Sequence, residues 1–126
     1  MNWRDPVDTN PGLYRVVFEN ERVRVLAYHD GPGERTTPHD HPDSVMVTLS
    51  TFRRRLVSGD RNAEVDIDAG SALWLAAQTH SGENIGETPT DVILIELKEP
   101  LAVGQRGNAE QSPSLGPSHG GAGGAV

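Results

Sequence analysis

Two of the five histidines in this sequence stand one residue apart, His39 and His41, within GERTTPHDHPDSVM from Gly33 to Met46. On one strand, residues i and i+2 project to the same face, so both imidazoles point the same way. That spacing lets them reach one ion at roughly 2.0–2.2 Å with an angle of about 90–110°. A third nitrogen must come from elsewhere, and His80 is the remaining histidine set in a turn-plus-strand pattern. The bland alternative is a solvent-facing pair beside a turn. Cysteine is absent, so any metal is held by nitrogen and oxygen. Three imidazoles suit iron, zinc, nickel, manganese or copper, and ligand count alone does not choose among them. They must be neutral to bind, so metal affinity is expected to fall below about pH 6, near the reference histidine pKa of roughly 6.5.

Other side chains are candidates for the surroundings of such a site. Gln78 precedes His80 by two, shares its face on a regular strand, and can bond a substrate or a turn backbone. Glu83 and Asn84 follow His80; Asn84 is expected to hold a loop. Arg53-Arg54-Arg55 is a basic run on an expected strand, where alternation sends Arg54 to one face and its neighbours to the other. If Phe52, Arg54 and Leu56 point inward, Arg54 can pair with a substrate carboxylate; the favoured alternative is a solvated edge strand protected by charge. Asp40 and Asp43 lie close enough to be weighed as ligands, but Asp40 should face away from its histidine neighbours. His29 is expected at the surface, and Trp74 in the core or a cavity wall.

The elements that must position these residues are strands. Arg22–Tyr28, Val45–Leu49, Phe52–Val57, Ala63–Ile67, Ala72–Leu75 and Asp91–Leu97 read as short β segments, with turns at 58–62 and 68–71. Short strands spaced by turn signals suggest an all-β sandwich or barrel, and no sustained 3.6-residue apolar period indicates a long helix. Residues 1–13 read as an extended arm and 14–100 as the folded domain. Residues 101–126, rich in Gly, Ser, Pro and Ala, read as a flexible tail that includes His119.

The histidine spacing and its frame resemble the cupin superfamily. The first cupin motif opens with Gly, leaves five residues, gives His-x-His, and places a Glu three or four residues later. Gly33, His39 and His41 match it, but the Glu position falls on Val45 or Met46. The second motif opens with Gly and a strand and closes with His, three residues and Asn. Gly70, the strand 71–75, His80 and Asn84 follow it, with Ala76-Ala77-Gln78 in place of Pro-x-Gly. ENERVRVL, HPDSVM and HSGENIG are similar to phrases of small single-domain bacterial cupins described only as cytoplasmic proteins. The resemblance, spanning roughly Arg22 to Leu97, implies a six- to eight-stranded jelly-roll barrel with His39, His41 and His80 on a divalent metal inside its mouth. It also implies a homodimer. Some cupin dioxygenases carry three histidines on Fe(II), which makes iron the favoured metal.

Composition narrows the function. With 126 residues, one domain is expected. Eighteen acidic against eleven basic residues, a formal net charge of −7, argue against nucleic-acid backbones and anionic membranes as partners. No apolar stretch reaches the length of a membrane helix; the cytoplasm is the expected location. No Gly-x-Ser-x-Gly elbow or phosphate loop occurs. The leading expectation is a metal-dependent enzyme acting on a small oxygen-rich or anionic molecule. Dioxygenase-type chemistry stands slightly ahead of isomerase, decarboxylase or lyase chemistry. A non-catalytic cupin that binds a small molecule is the alternative.

Overall fold

Period-two alternation decides which side chains enter the interior. A computed structural model describes residues 3–98. A short helix, α1 (Pro6–Thr9), precedes β1 (Tyr14–Glu19), β2 (Val23–Asp30), β3 (His39–His41), β4 (Ser44–Thr48) and β5 (Phe52–Ser58). There follow β6 (Arg61–Ile67), β7 (Ala72–Leu75), β8 (Gln78–Asn84) and β9 (Thr90–Leu97). Nine strands among the described residues exceed the six to eight expected, because β1 and the three-residue β3 each pair as separate strands. The expected tail, with His119, lies outside the described residues.

All strand pairs are antiparallel. One sheet runs β1-β2-β9-β4-β7 and the other β3-β8-β5-β6. β9 shows the alternation most clearly: Thr90, Val92, Leu94 and Glu96 are buried, and the residues between them are only half-buried. Opposite them, β2 turns Tyr28 towards Val92 and Leu26 towards Leu94 in register. Tyr14, Leu26, Tyr28, Val92 and Leu94 from one sheet meet Phe52 from the other to form the buried apolar cluster. The two motif glycines have a conformational role: Gly33 at φ 88° and Gly70 at φ 83° occupy the left-handed region that side-chain-bearing residues avoid.

The arm departs from the extended reading. Asp5 caps α1 by accepting from the Val7 amide at 3.0 Å, and Pro6, at the helix's first position, is buried. Asn10, also buried, accepts from the Thr37 amide at 2.9 Å, and Asp40 N–H donates to the Arg4 carbonyl at 2.8 Å. The arm is thereby fastened to β3 and the segment before it.

Arg54 departs from the solvated-edge expectation for the basic run and takes the inward orientation of the alternative, lining the interior cavity. It lies on β5, an interior strand between β8 and β6, and points inward. There it donates to Asp30 Oδ2 at 2.6 Å and to Thr90 Oγ1 at 3.1 Å. Asp30 is fully buried and also accepts from Asn84 Nδ2 at 3.0 Å and from the Tyr28 hydroxyl. The charge available to a substrate carboxylate is thus already matched within the protein. Gly82 makes room for this arrangement, since a Cβ there would lie 2.8 Å from Arg54 Nη2. Arg53 and Arg55 face outward to Glu64, Asp66 and Glu83. Arg54→Met should lower unfolding free energy by about 3–5 kcal/mol in urea titration, because Asp30 is left as an uncompensated buried charge. Arg53→Ala, which removes only exposed pairs, should change the midpoint little.

Candidate metal centre

β3 and β8 place the three histidines. Their register sets His39 opposite His80 and His41 opposite Gln78, and alternation turns all four inward. The ligand-capable nitrogens of His39, His41 and His80 lie within 4.8 Å of one another. The ring centroids form a nearly equilateral triangle, 4.8, 4.9 and 5.0 Å on its sides. His39 and His41 are almost wholly buried, and His80 is half-buried.

The outer nitrogen of each ring has its own acceptor. His39 Nδ1 lies 2.7 Å from the Thr37 carbonyl, His41 Nδ1 3.0 Å from Glu96 Oε2, and His80 Nδ1 2.9 Å from Gln78 Oε1. A carbonyl, a carboxylate and an amide oxygen can only accept, so each Nδ1 carries the proton and each Nε2 presents its lone pair. Gln78 is itself oriented by donating to the Ala76 carbonyl at 3.0 Å. Glu96 is held by Arg24 at 3.0 Å, and Arg24 by Asp5 at 2.8 Å. The Tyr14 hydroxyl lies 3.2 Å from His39 Nε2, to which it donates, and 3.5 Å from His41 Nε2. Three converging imidazole lone pairs, each backed by an acceptor, are what a divalent ion requires of histidine ligands.

Burial adjusts the protonation of the site. It pushes His39 down to about 4, and His80 down to about 3 with the neighbouring histidines adding to the effect. These two rings therefore stay neutral well below pH 6, so proton competition for them sets in at lower pH than the reference histidine value implies. Burial raises the Tyr14 phenol well above its ordinary range, which keeps it protonated in the metal-free protein.

Gln78 joins the site as the residue that orients His80. Glu83 does not: it lies an odd number of residues from His80, faces outward, and pairs with Arg55 at 3.5 Å. Asp40 and Asp43 also turn away, Asp40 accepting from the Arg4 amide at 2.7 Å and Asp43 from the Ala77 amide at 2.8 Å. Asn84 holds a turn by donating to the Thr88 carbonyl at 2.8 Å and accepting from the Gly86 amide at 3.0 Å. His29 is exposed beside Asp91. Sequence reasoning misses Glu96, Tyr14 and Thr37. An acidic residue at the inward parity of β9 is a visible signal for Glu96, whereas nothing local marks Tyr14.

Beneath the histidines lies a cavity of about 320 Å³. Its walls are mainly apolar, with Met46, Phe52, Leu56, Val65, Leu75 and Leu94 among them. Trp74, 58% exposed, also lines it, so it is a wall residue open to solvent and no part of the core. Met46 stands where the expected Glu would fall, and brings no oxygen.

No family model matches the sequence, and no curated protein matches it. Solved structures share its fold. A cupin-domain protein from Bordetella pertussis superposes with a TM-score of 0.65 at 24% identity, over 79% of this chain and 99% of its own. An RmlC-like cupin with a double-stranded β-helix fold from Methanocaldococcus jannaschii gives 0.58 at 12% identity, over 76% and 84%. A conserved protein with a double-stranded β-helix domain from Klebsiella pneumoniae gives 0.53 at 22%, over 65% and 68%. The chain has the cupin fold, and its three-histidine cluster fits a cupin metal site. No helix among the described residues is long and apolar enough to cross a membrane.

Glu96→Gln should weaken binding of a divalent ion by about 10–100-fold, measured by competition with a chelating dye, because the acceptor that orients His41 loses its charge. A pH dependence follows from His39 and His80. The unfolded chain protonates them near about pH 6.5, the folded chain only near 4 and 3. Their contribution to stability is therefore complete above pH 6.5 and lost as pH falls towards those lower values. The urea midpoint of metal-free protein should drop between pH 7 and pH 4.5, and a His39→Ala/His80→Ala variant should show a shallower drop.

Proposed function

We propose that this chain is a metal-dependent cupin enzyme that takes a small molecule with an apolar body and one chelating oxygen head. The observation that carries the reading is the placement of three Nε2 lone pairs on the wall of a mainly apolar cavity. His39, His41 and His80 would hold the ion; Thr37, Glu96 and Gln78 keep the three rings in the binding tautomer. Three neutral nitrogens leave a divalent ion its full charge, so when bound it supplies a Lewis-acid site for an anionic chelating head, and iron(II) adds reactivity towards oxygen.

The rest of the cavity contributes shape and apolar surface. Arg54 lines it, but its guanidinium is matched by Asp30. A second carboxylate on the ligand would therefore find no free cation among the described lining residues. Buried Phe52 and Leu94 and half-buried Leu56 and Val65 give the cavity an apolar wall that favours an aromatic or branched aliphatic body. Dioxygenase-type cleavage of a chelating diketone or related acid fits this combination, with isomerase, decarboxylase or lyase chemistry on a similar ligand as the second reading.

Protein reconstituted anaerobically with Fe(II) should consume oxygen with aryl-substituted β-diketones, and far less with short hydrophilic diacids. A His39→Ala/His41→Ala variant should bind no iron and consume none. Ligand-shifted melting without turnover, by metal-loaded protein with every class of ligand, would replace the enzyme with a binding protein. Absence of metal after reconstitution would overturn the centre itself.

A further inference from the structure

We propose that Tyr14 is a fourth protein ligand, its phenol oxygen taking the place that Val45 and Met46 leave without a carboxylate. The proposal rests on the three-histidine centre described above and adds a residue from a different strand of the barrel.

Position is the first argument. Tyr14 is the one buried residue of β1, the other five being exposed. Its ring is packed against Tyr28, with centroids 4.6 Å apart, so the hydroxyl has a fixed direction. Among the described residues that hydroxyl is bonded only to His39 Nε2 and His41 Nε2, the two nitrogens that face the metal position. It has no backbone or carboxylate partner there to satisfy it. Its sole occupation is with the ligand atoms.

Distance is the second. Two ligands bound at about 2.0–2.1 Å, separated by about 90–109° at the ion, lie about 2.8–3.4 Å apart. Tyr14 Oη is 3.2 and 3.5 Å from the two nitrogens. One position thus serves as a hydrogen-bond donor to His39 without metal, and lies at the edge of a coordination shell with it. On loading, the phenol proton leaves to solvent as the oxygen–metal bond forms; no electron is transferred. Four protein ligands leave a six-coordinate ion two positions, sufficient for one bidentate head.

The test uses the full chain and its Tyr14→Phe variant, each loaded anaerobically with Fe(II), desalted, assayed for iron, and then oxidised with ferricyanide. Wild type should develop a visible phenolate-to-iron charge-transfer band with tyrosinate ring modes in resonance Raman. Tyr14→Phe should retain iron on its three histidines and lose both signals. The sequence has two tyrosines, so Tyr28→Phe provides a second arm. Persistence of the band in that variant assigns it to Tyr14 even if Tyr14→Phe does not fold. Stoichiometric iron without the band in wild type, or an unchanged band in Tyr14→Phe, would overturn the fourth ligand and leave the three-histidine centre standing. Failure of wild type to take up iron would overturn both.

Discussion

Three neutral imidazoles do not gather around one point unaided. Their Nε2 lone pairs present like partial charge to a common centre, and burial denies them water. The arrangement therefore depends on what holds the opposite edge of each ring. One acceptor is the Thr37 carbonyl, one the Gln78 amide and one the Glu96 carboxylate, and each belongs to a different part of the chain. Much of the surrounding structure can be traced to keeping these in place. Asn10 bonds the Thr37 amide, which fixes the segment that carries His39. Asp5 holds Arg24, which holds Glu96, which orients His41. The N-terminal arm is held by both kinds of contact: Val7 and Leu13 pack against the core cluster and Pro6 is buried, while the bonds of Asp5 and Asn10 lead to the site.

The interior holds two polar clusters, linked by the contact between the Tyr14 and Tyr28 rings. One is the histidine cluster, whose nitrogens could hold a cation. The other is the Arg54–Asp30 pair with Asn84, Thr90 and Tyr28, which contains its own counter-charge and needs none. A buried ion pair of this kind contributes little net stability against apolar groups of the same volume, while loss of either partner is costly. Its effect is one of definition: it joins β2, β5, β8 and β9 at one fixed register. The apolar cluster is small, with Leu26 the only large aliphatic side chain below 2% exposure among the described residues. Metal bound between β3 and β8 would close an element pair that has little apolar packing of its own.

How much of this is legible in the sequence depends on separation along the chain. His39 and His41 are two apart, and His80 sits in a strand pattern; the same periodicity that defines strands also assigns the face of each ring. Parity from His80, even against odd, separates Gln78 from Glu83 in the sequence itself. Alternation likewise sets Arg54 apart from its two neighbours, yet its partner Asp30 lies 24 residues away and depends on sheet order, which local pattern does not contain. Glu96 and Tyr14 are further cases, 55 and 27 residues from His41. Their contribution exists only once β1 and β9 share a sheet with β2 between them. The arm escapes sequence reasoning for a related reason: a single helical turn capped by Asp5 has too few residues to show a period.

Fold resemblance at 24% identity or less establishes architecture and leaves chemistry to the site. Here the site's most informative property is the contrast between its two ends. The three histidines converge at one part of a mainly apolar cavity, whose lining also includes Thr36, Arg54 and Thr90. Under the proposed function, discrimination among ligands would rest on the fit of the body against Phe52, Leu56, Val65 and Leu94, where each methylene counts for about 0.8 kcal/mol. The neutralisation of Arg54 by Asp30 is what makes this so. With a free guanidinium at that wall the cavity would favour a second anionic group on a ligand; with Arg54 matched by Asp30, that wall carries no net charge.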